Sequence, residues 1–112
     1  MNKQLKIQHF ETKAGKIPFQ EWIGNLKDKI SRARINKRIA NVEGGHFGDT
    51  SPVGEGVQEL RFFFGPGYRV YYGIDDDVIV LLLCGGDKST QIEDIKKAKI
   101  YWQEFKEYKN ER

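Results

Sequence analysis

Val57-Gln58-Glu59-Leu60-Arg61-Phe62-Phe63, Tyr68-Arg69-Val70-Tyr71-Tyr72-Gly73-Ile74 and Val78-Ile79-Val80-Leu81-Leu82-Leu83-Cys84 are three β-forming runs, separated by Gly65-Pro66-Gly67 and Asp75-Asp76-Asp77. Pro66 fixes φ and the flanking glycines accept positive φ, so the first separator reads as a hairpin turn. The aspartates make the second turn. The third run is apolar at every position, the pattern of a central strand covered on both faces. Gly85-Gly86-Asp87-Lys88 closes it. Three consecutive strands lying side by side decide the architecture.

Upstream, Leu5, Ile7 and His9 alternate with Lys6 and Gln8, the period of a half-buried first strand. Gly15 breaks the pattern, and Pro18 stands where a helix can open without the missing N–H. Phe19, Trp22, Ile23 and Leu26 define the apolar face of that helix. Asp28 and Lys29 mark a connection, and Ile35, Ile39 and Val42 recur at i, i+4 and i+7 in a second helix that Gly44 and Gly45 end. From Gly44 to Gly56 the chain is glycine-rich, contains Pro52 and reads as a surface loop. Its glycines follow a helix and no helix opens after them, so a dinucleotide loop is a poor reading. Downstream, Thr90 and Glu93 stand at capping-box spacing before a last helix whose stripe runs through Ile92, Ile95, Lys99, Trp102 and Phe105. No internal repeat appears, and residues 1–112 read as one domain.

The composition is that of a soluble globular domain, 38% hydrophobic and 31% charged, and the net charge is only +3. The placement of the basic residues therefore has to carry any nucleic-acid argument. The first seven residues hold no apolar run of signal-peptide length, and Val78 to Cys84 is too short to span a bilayer. Cys84 is the one cysteine, which reads as a buried, reduced thiol; the chain is expected in the cytoplasm. His9 and His46 lack ligand-spaced partners, and Asp75 to Asp77 lack a following bidentate Glu, so no metal site and no cofactor is expected.

Strand alternation sorts the side chains. Leu60 and Phe62, with Tyr68, Val70, Tyr72 and Ile74, should face the early helices. The opposite face then gathers Glu59, Arg61, Arg69 and Tyr71, with Asp87 and Lys88 just beyond the third strand. Two arginines, a lysine, a tyrosine and a carboxylate suit a phosphodiester. A separate basic stripe, Arg32, Arg34, Lys37 and Arg38, lies on the second helix. Each group has a structural reading beside the functional one. Glu59 and Arg61 can pair with Arg69 across strands, Tyr71 can be a packing aromatic, Asp87-Lys88 can be a polar turn, and the stripe can be a solvated face.

Glu59-Leu60-Arg61, Gly67-Tyr68-Arg69-Val70-Tyr71-Tyr72, Gly86-Asp87-Lys88 and Pro18-Phe19-Gln20-Glu21-Trp22, in this order and at these spacings, resemble the RelE/ParE toxin superfamily. Within it the chain is most similar to the HigB-like, phage-related addiction-module killer proteins. The resemblance covers nearly the whole chain. It implies an α+β fold of order β-α-α-β-β-β-α: a mostly antiparallel sheet, two N-terminal helices on one face and a C-terminal helix.

The resemblance also implies the toxin of a type II toxin-antitoxin system, a metal-independent endoribonuclease that cuts mRNA on the ribosome. Its partner would be a helix-turn-helix antitoxin. By position, Arg69 matches a transition-state phosphate contact, Arg61 and Glu59 match basic positions on the preceding strand, and Lys88 matches a basic residue after the last strand. The chain departs from the RelE pattern at Glu59, acidic where a lysine is usual, and at Asp94-Ile95, near the usual late tyrosine. Glu59, Tyr71 and Asp87 then become the proton-transfer candidates, and the basic stripe a ribosomal RNA contact. The alternatives are a ParE-like DNA gyrase inhibitor without nuclease chemistry and an inactive relic that only binds an antitoxin.

Overall fold

The structure, a computed structural model, describes residues 4–110. Strand β1 (Lys6–His9) leads into helix α1 (Pro18–Asn25) and helix α2 (Lys29–Glu43). Four strands follow: β2 (Thr50–Gly54), β3 (Val57–Arg61), β4 (Arg69–Asp75) and β5 (Ile79–Gly86). A 3₁₀ turn at Lys88–Thr90 then opens helix α3 (Gln91–Asn110). The protein is α+β, with one five-stranded sheet ordered β1-β5-β4-β3-β2. Strands β2 to β5 form an antiparallel meander, and β1 lies parallel to β5, so the sheet is mixed.

This order, β-α-α-β-β-β-β-α, overturns the expected β-α-α-β-β-β-α. The additional strand is β2, which falls inside the stretch read as a loop. It pairs antiparallel with β3, from Thr50 opposite Leu60 to Gly54 opposite Val57, with a register shift between Pro52 and Gly54. Pro52 is tolerated because β2 is an edge strand, where a missing N–H costs no ladder bond. The hairpin turns tightly through Gly54, Glu55 and Gly56, all at positive φ.

Local chemistry explains the helices. Pro18 sits at the first position of α1, pre-set in φ. Asp28, read as part of a connection, caps α2: its carboxylate accepts from Ile30 N at 3.0 Å and from Ser31 Oγ at 2.8 Å. Such caps contribute about 1 kcal/mol. At α3 the capping pair is Asp87 with Thr90 rather than Thr90 with Glu93. Asp87 accepts from Ser89 N at 2.8 Å, and Thr90 Oγ1 returns a bond to Asp87 N at 3.2 Å.

Helices cover both faces of the sheet. On one, Phe19 from α1 and Ile35, Ile39 and Val42 from α2 enclose Leu60, Phe62, Tyr68, Val70, Tyr72, Val80 and Leu82. On the other, Ala98 and Trp102 from α3 lie over Val57, Tyr71, Leu81, Leu83 and Cys84. A register shift between β4 and β5 at Tyr71/Tyr72 puts both Leu83 and Cys84 under α3. Two glycines make close docking possible. A Cβ on Gly85 would stand 2.2 Å from the Trp22 ring, and one on Gly73 would stand 2.5 Å from Trp102. Among the described residues no helix is long and apolar enough to cross a membrane.

Candidate functional site

The registers Glu59 opposite Tyr71 and Arg61 opposite Arg69 put these four residues on the α3 side of the sheet. That face is not open. The first turns of α3 roof it, leaving Tyr71 at 0%, Glu59 at 4% and Arg69 at 9% exposure. Gln91, the first residue of α3, donates from Nε2 to Glu59 Oε2 at 3.1 Å. Glu59 Oε2 stands 3.9 Å from Arg69 Nε, an ion pair without hydrogen-bond contact.

Arg69 is fixed by its own turn. Nη1 donates to the carbonyls of Gly67 at 3.0 Å and Tyr68 at 3.1 Å. Nε is buried without a hydrogen-bond partner, as is the Tyr71 hydroxyl. Buried orphans of this kind are uncommon, and they call for an explanation in each case. Nη2 takes no hydrogen-bond partner among the described residues. Burial, reinforced by the Glu59 and Asp94 charges, pushes the Tyr71 hydroxyl far above the ordinary tyrosine range. At neutral pH it can donate a proton to a hydrogen bond but cannot act as a base.

Lys88 reaches this cluster through Gly67. A Cβ on Gly67 would lie 3.5 Å from both Arg69 Nη1 and the Lys88 Cβ, and Lys88 N is 3.4 Å from the Pro66 carbonyl. Gly67 therefore stands within van der Waals range of both the anchored guanidinium and the base of the exposed Lys88 side chain. Asp87 is occupied as the helix cap. Arg61 stands apart, 37% exposed in its side chain and bound by a two-pronged pair to Asp49, Nε to Oδ2 at 3.0 Å and Nη2 to Oδ1 at 2.9 Å. Those bonds raise the Arg61 pKa further above its ordinary value.

The basic stripe on α2 divides. The Arg38 guanidinium turns inward, donates to the carbonyls of Phe47, Asp49 and Arg61, and lies 4.7 Å from the Phe62 ring centroid. It ties α2 to the strand ends and is not a surface contact. Arg34 stacks on Phe64 at 5.0 Å, and Arg32 bonds the Leu26 carbonyl at 3.3 Å. Both Arg34 and Lys37 remain exposed.

Two contributors escaped the sequence reading: Asp49 and Gln91. The four-residue span from Asp87 to Thr90 was the available signal for where α3 begins, and hence for Gln91 over Glu59. Asp49 sat in the misread loop. Asp94, noted only as a departure from a pattern, is buried and accepts a short bond from Thr90 Oγ1, closing the roof against Gly86.

Two concavities, of about 480 and 630 Å³, lie elsewhere: one beside Phe10, Phe105 and Tyr108, the other beside Gly56, Ile100 and Lys106. Neither is lined by the polar cluster. Among the described residues no three His, Cys, Asp or Glu side chains are grouped to hold a metal ion.

No protein-family model matches the chain. It is 49% identical over 89 residues to an uncharacterized protein of Haemophilus influenzae, a match spanning 80% of this chain and 90% of that protein.

Proposed function

The chain belongs to the family of this Haemophilus influenzae protein, and we propose that it is a cytoplasmic toxin of RelE/HigB type that cleaves ribosome-bound mRNA without a metal. The observation that carries this reading is the juxtaposition of the anchored Arg69 guanidinium and Lys88 about Gly67. In the proposed reaction the ribose 2′-oxygen attacks the adjacent phosphorus and the P–O5′ bond breaks. The products are a 2′,3′-cyclic phosphate and a 5′-hydroxyl. Arg69 Nη2 and the Lys88 ammonium stabilise charge developing on the non-bridging oxygens. Glu59 accepts the 2′-proton, and the Tyr71 hydroxyl gives a proton to the leaving 5′-oxygen. Both require α3 to lift at Gln91, because both are buried in the closed arrangement.

A helix-turn-helix antitoxin completes the proposal. Arg34 and Lys37 supply a backbone contact to ribosomal RNA, and Arg38 is excluded from that role by its inward bonds.

One observation favours a second reading. The burial of Glu59, Arg69 and Tyr71 is equally that of a packed sheet face, as expected for a ParE-like gyrase inhibitor lacking nuclease chemistry.

Mapping mRNA 5′ ends after induction in cells separates the two. Wild type is expected to give discrete in-frame cuts, and exposed Lys88→Ala is expected to cut about 10²-fold more slowly while folding normally. DNA damage without cuts would favour the gyrase reading.

A further inference from the structure

Phe63 is 83% exposed, in a loop whose other two phenylalanines are committed to structure. Phe62 is 3% exposed, in the core under Arg38, and Phe64 stacks edge-on to Phe62 and Tyr68, each at 5.8 Å, under Arg34. The loop is closed by Phe62 N to Tyr68 O at 3.0 Å and Gly67 N to Phe64 O at 3.1 Å. Its neighbours therefore hold Phe63 out rigidly. Phe62 and Phe64 both turn to the α1–α2 core, so the intervening Phe63 turns the opposite way, continuing the Glu59–Arg61 row. It thus belongs to the same hairpin loop as Gly67, which adjoins Arg69 and Lys88.

A large aromatic face held in water, in the loop whose Gly67 adjoins Arg69 and Lys88, has the composition of a single-strand stacking platform: phosphates bind the cations, and a base covers the ring. A rigid ring loses little freedom on binding, which favours this use over a flexible apolar side chain. We propose that Phe63 stacks on an unpaired nucleobase of single-stranded RNA flanking the phosphate held at Arg69 and Lys88. Recognition is by the ring's π-face and so is tolerant of base identity. The inference deepens the nuclease reading and rests on it for the location of the phosphate.

The test uses the full chain and a short single-stranded RNA carrying 2-aminopurine beside a linkage made uncleavable by a 2′-deoxy sugar. Wild type is expected to quench the fluorophore on saturation. Phe63→Tyr and Phe63→Trp should keep the quench. Phe63→Leu and Phe63→Ala should lose it and weaken binding about tenfold, with unchanged thermal unfolding. Replacing the 2-aminopurine nucleotide with an abasic one should remove the affinity difference between wild type and Phe63→Ala. Absence of quenching by wild type, or quenching retained in Phe63→Ala, overturns the inference. Cleavage of a translated message is measured in parallel. Quenching without any cleavage would sink the nuclease reading while leaving Phe63 as a base-stacking residue, and cleavage unaffected by Phe63→Ala would do the reverse.

Discussion

Cys84 shows how one position in a strand fixes the chemistry of a side chain. At the end of an apolar run it lies 6% exposed under α3, where its thiol contacts the Asp94 carbonyl at 3.7 Å. Burial, with Asp94 nearby, pushes the thiol up to about 12, so it is neither a nucleophile nor a ligand at neutral pH. The buried hydroxyls of Tyr71 and Tyr72 are raised by the same desolvation. A group whose folded pKa lies above its unfolded value stabilises the fold below the unfolded pKa and loses that effect as pH rises through the folded value. Stability is therefore expected to fall progressively above about pH 9, from the ordinary thiol range toward 12. Denaturant midpoints between pH 7 and 11 measure this, and Cys84→Ala should flatten part of the decline. At pH 8 a thiol reagent should label Cys84 only at the rate of opening. Rapid labelling of the native protein would contradict the burial described. That the thiol is buried and reduced was readable from its place in the run; its environment was not, because Asp94 lies on another element.

At the scale of elements, the docking of α3 governs access to the site. Its register is set by what the sheet leaves out. Trp102 lies over Gly73, and the Asp94 carboxylate lies over Gly86, where a Cβ would stand 1.8 Å away. Gly73→Ala should force the indole or the helix to shift, costing roughly 1–3 kcal/mol as overpacking does. Chemical denaturation of Gly73→Ala, alone and with Trp102→Leu, checks it: the smaller side chain should recover part of the loss. No recovery would mean that Gly73 is needed for the strand and not for the indole. A second clasp joins the far end of α3 to the β4–β5 turn, where Lys109 Nζ donates to both Asp75 oxygens at 2.7 and 2.8 Å and to Asp76 at 3.0 Å.

Elements differed in how plainly they could be read. The period of Phe19, Trp22, Ile23 and Leu26, and of Ile35, Ile39 and Val42, marks faces that do enter one core. Strand β2 was hidden because Gly48, Pro52 and Gly54 carry loop chemistry, and only pairing with β3 makes Thr50–Gly54 a strand. Of the α3 stripe, Ile95, Trp102 and Phe105 do pack on the sheet, but Ile92 is 73% exposed and Lys99 partly exposed, while Asp94 and Ala98 are buried instead. A buried aspartate paired with Thr90 cannot be inferred from apolar periodicity.

For the whole molecule, the central question is why a small domain keeps an arginine, a glutamate and a tyrosine under a helix. Alternation alone put Glu59, Arg61, Arg69 and Tyr71 on one face, since it follows from the strand period. That α3 would close over them depended on contacts between elements far apart in sequence. The proposed account makes this roof part of the function: Gln91 holds Glu59 while α3 is down, and Arg69 and Lys88 receive a phosphate from outside. The same burial is what a purely structural cluster would show, so only chemistry can decide. The decisive measurement is the end group left on a translated message incubated with ribosomes and purified protein. The account predicts a 2′,3′-cyclic phosphate upstream and a 5′-hydroxyl downstream, cutting abolished by a single 2′-deoxy sugar at the cut site, and slow cutting by Lys88→Ala. Cleavage that persists through the 2′-deoxy position, or no cleavage by wild-type protein on translating ribosomes, would contradict it.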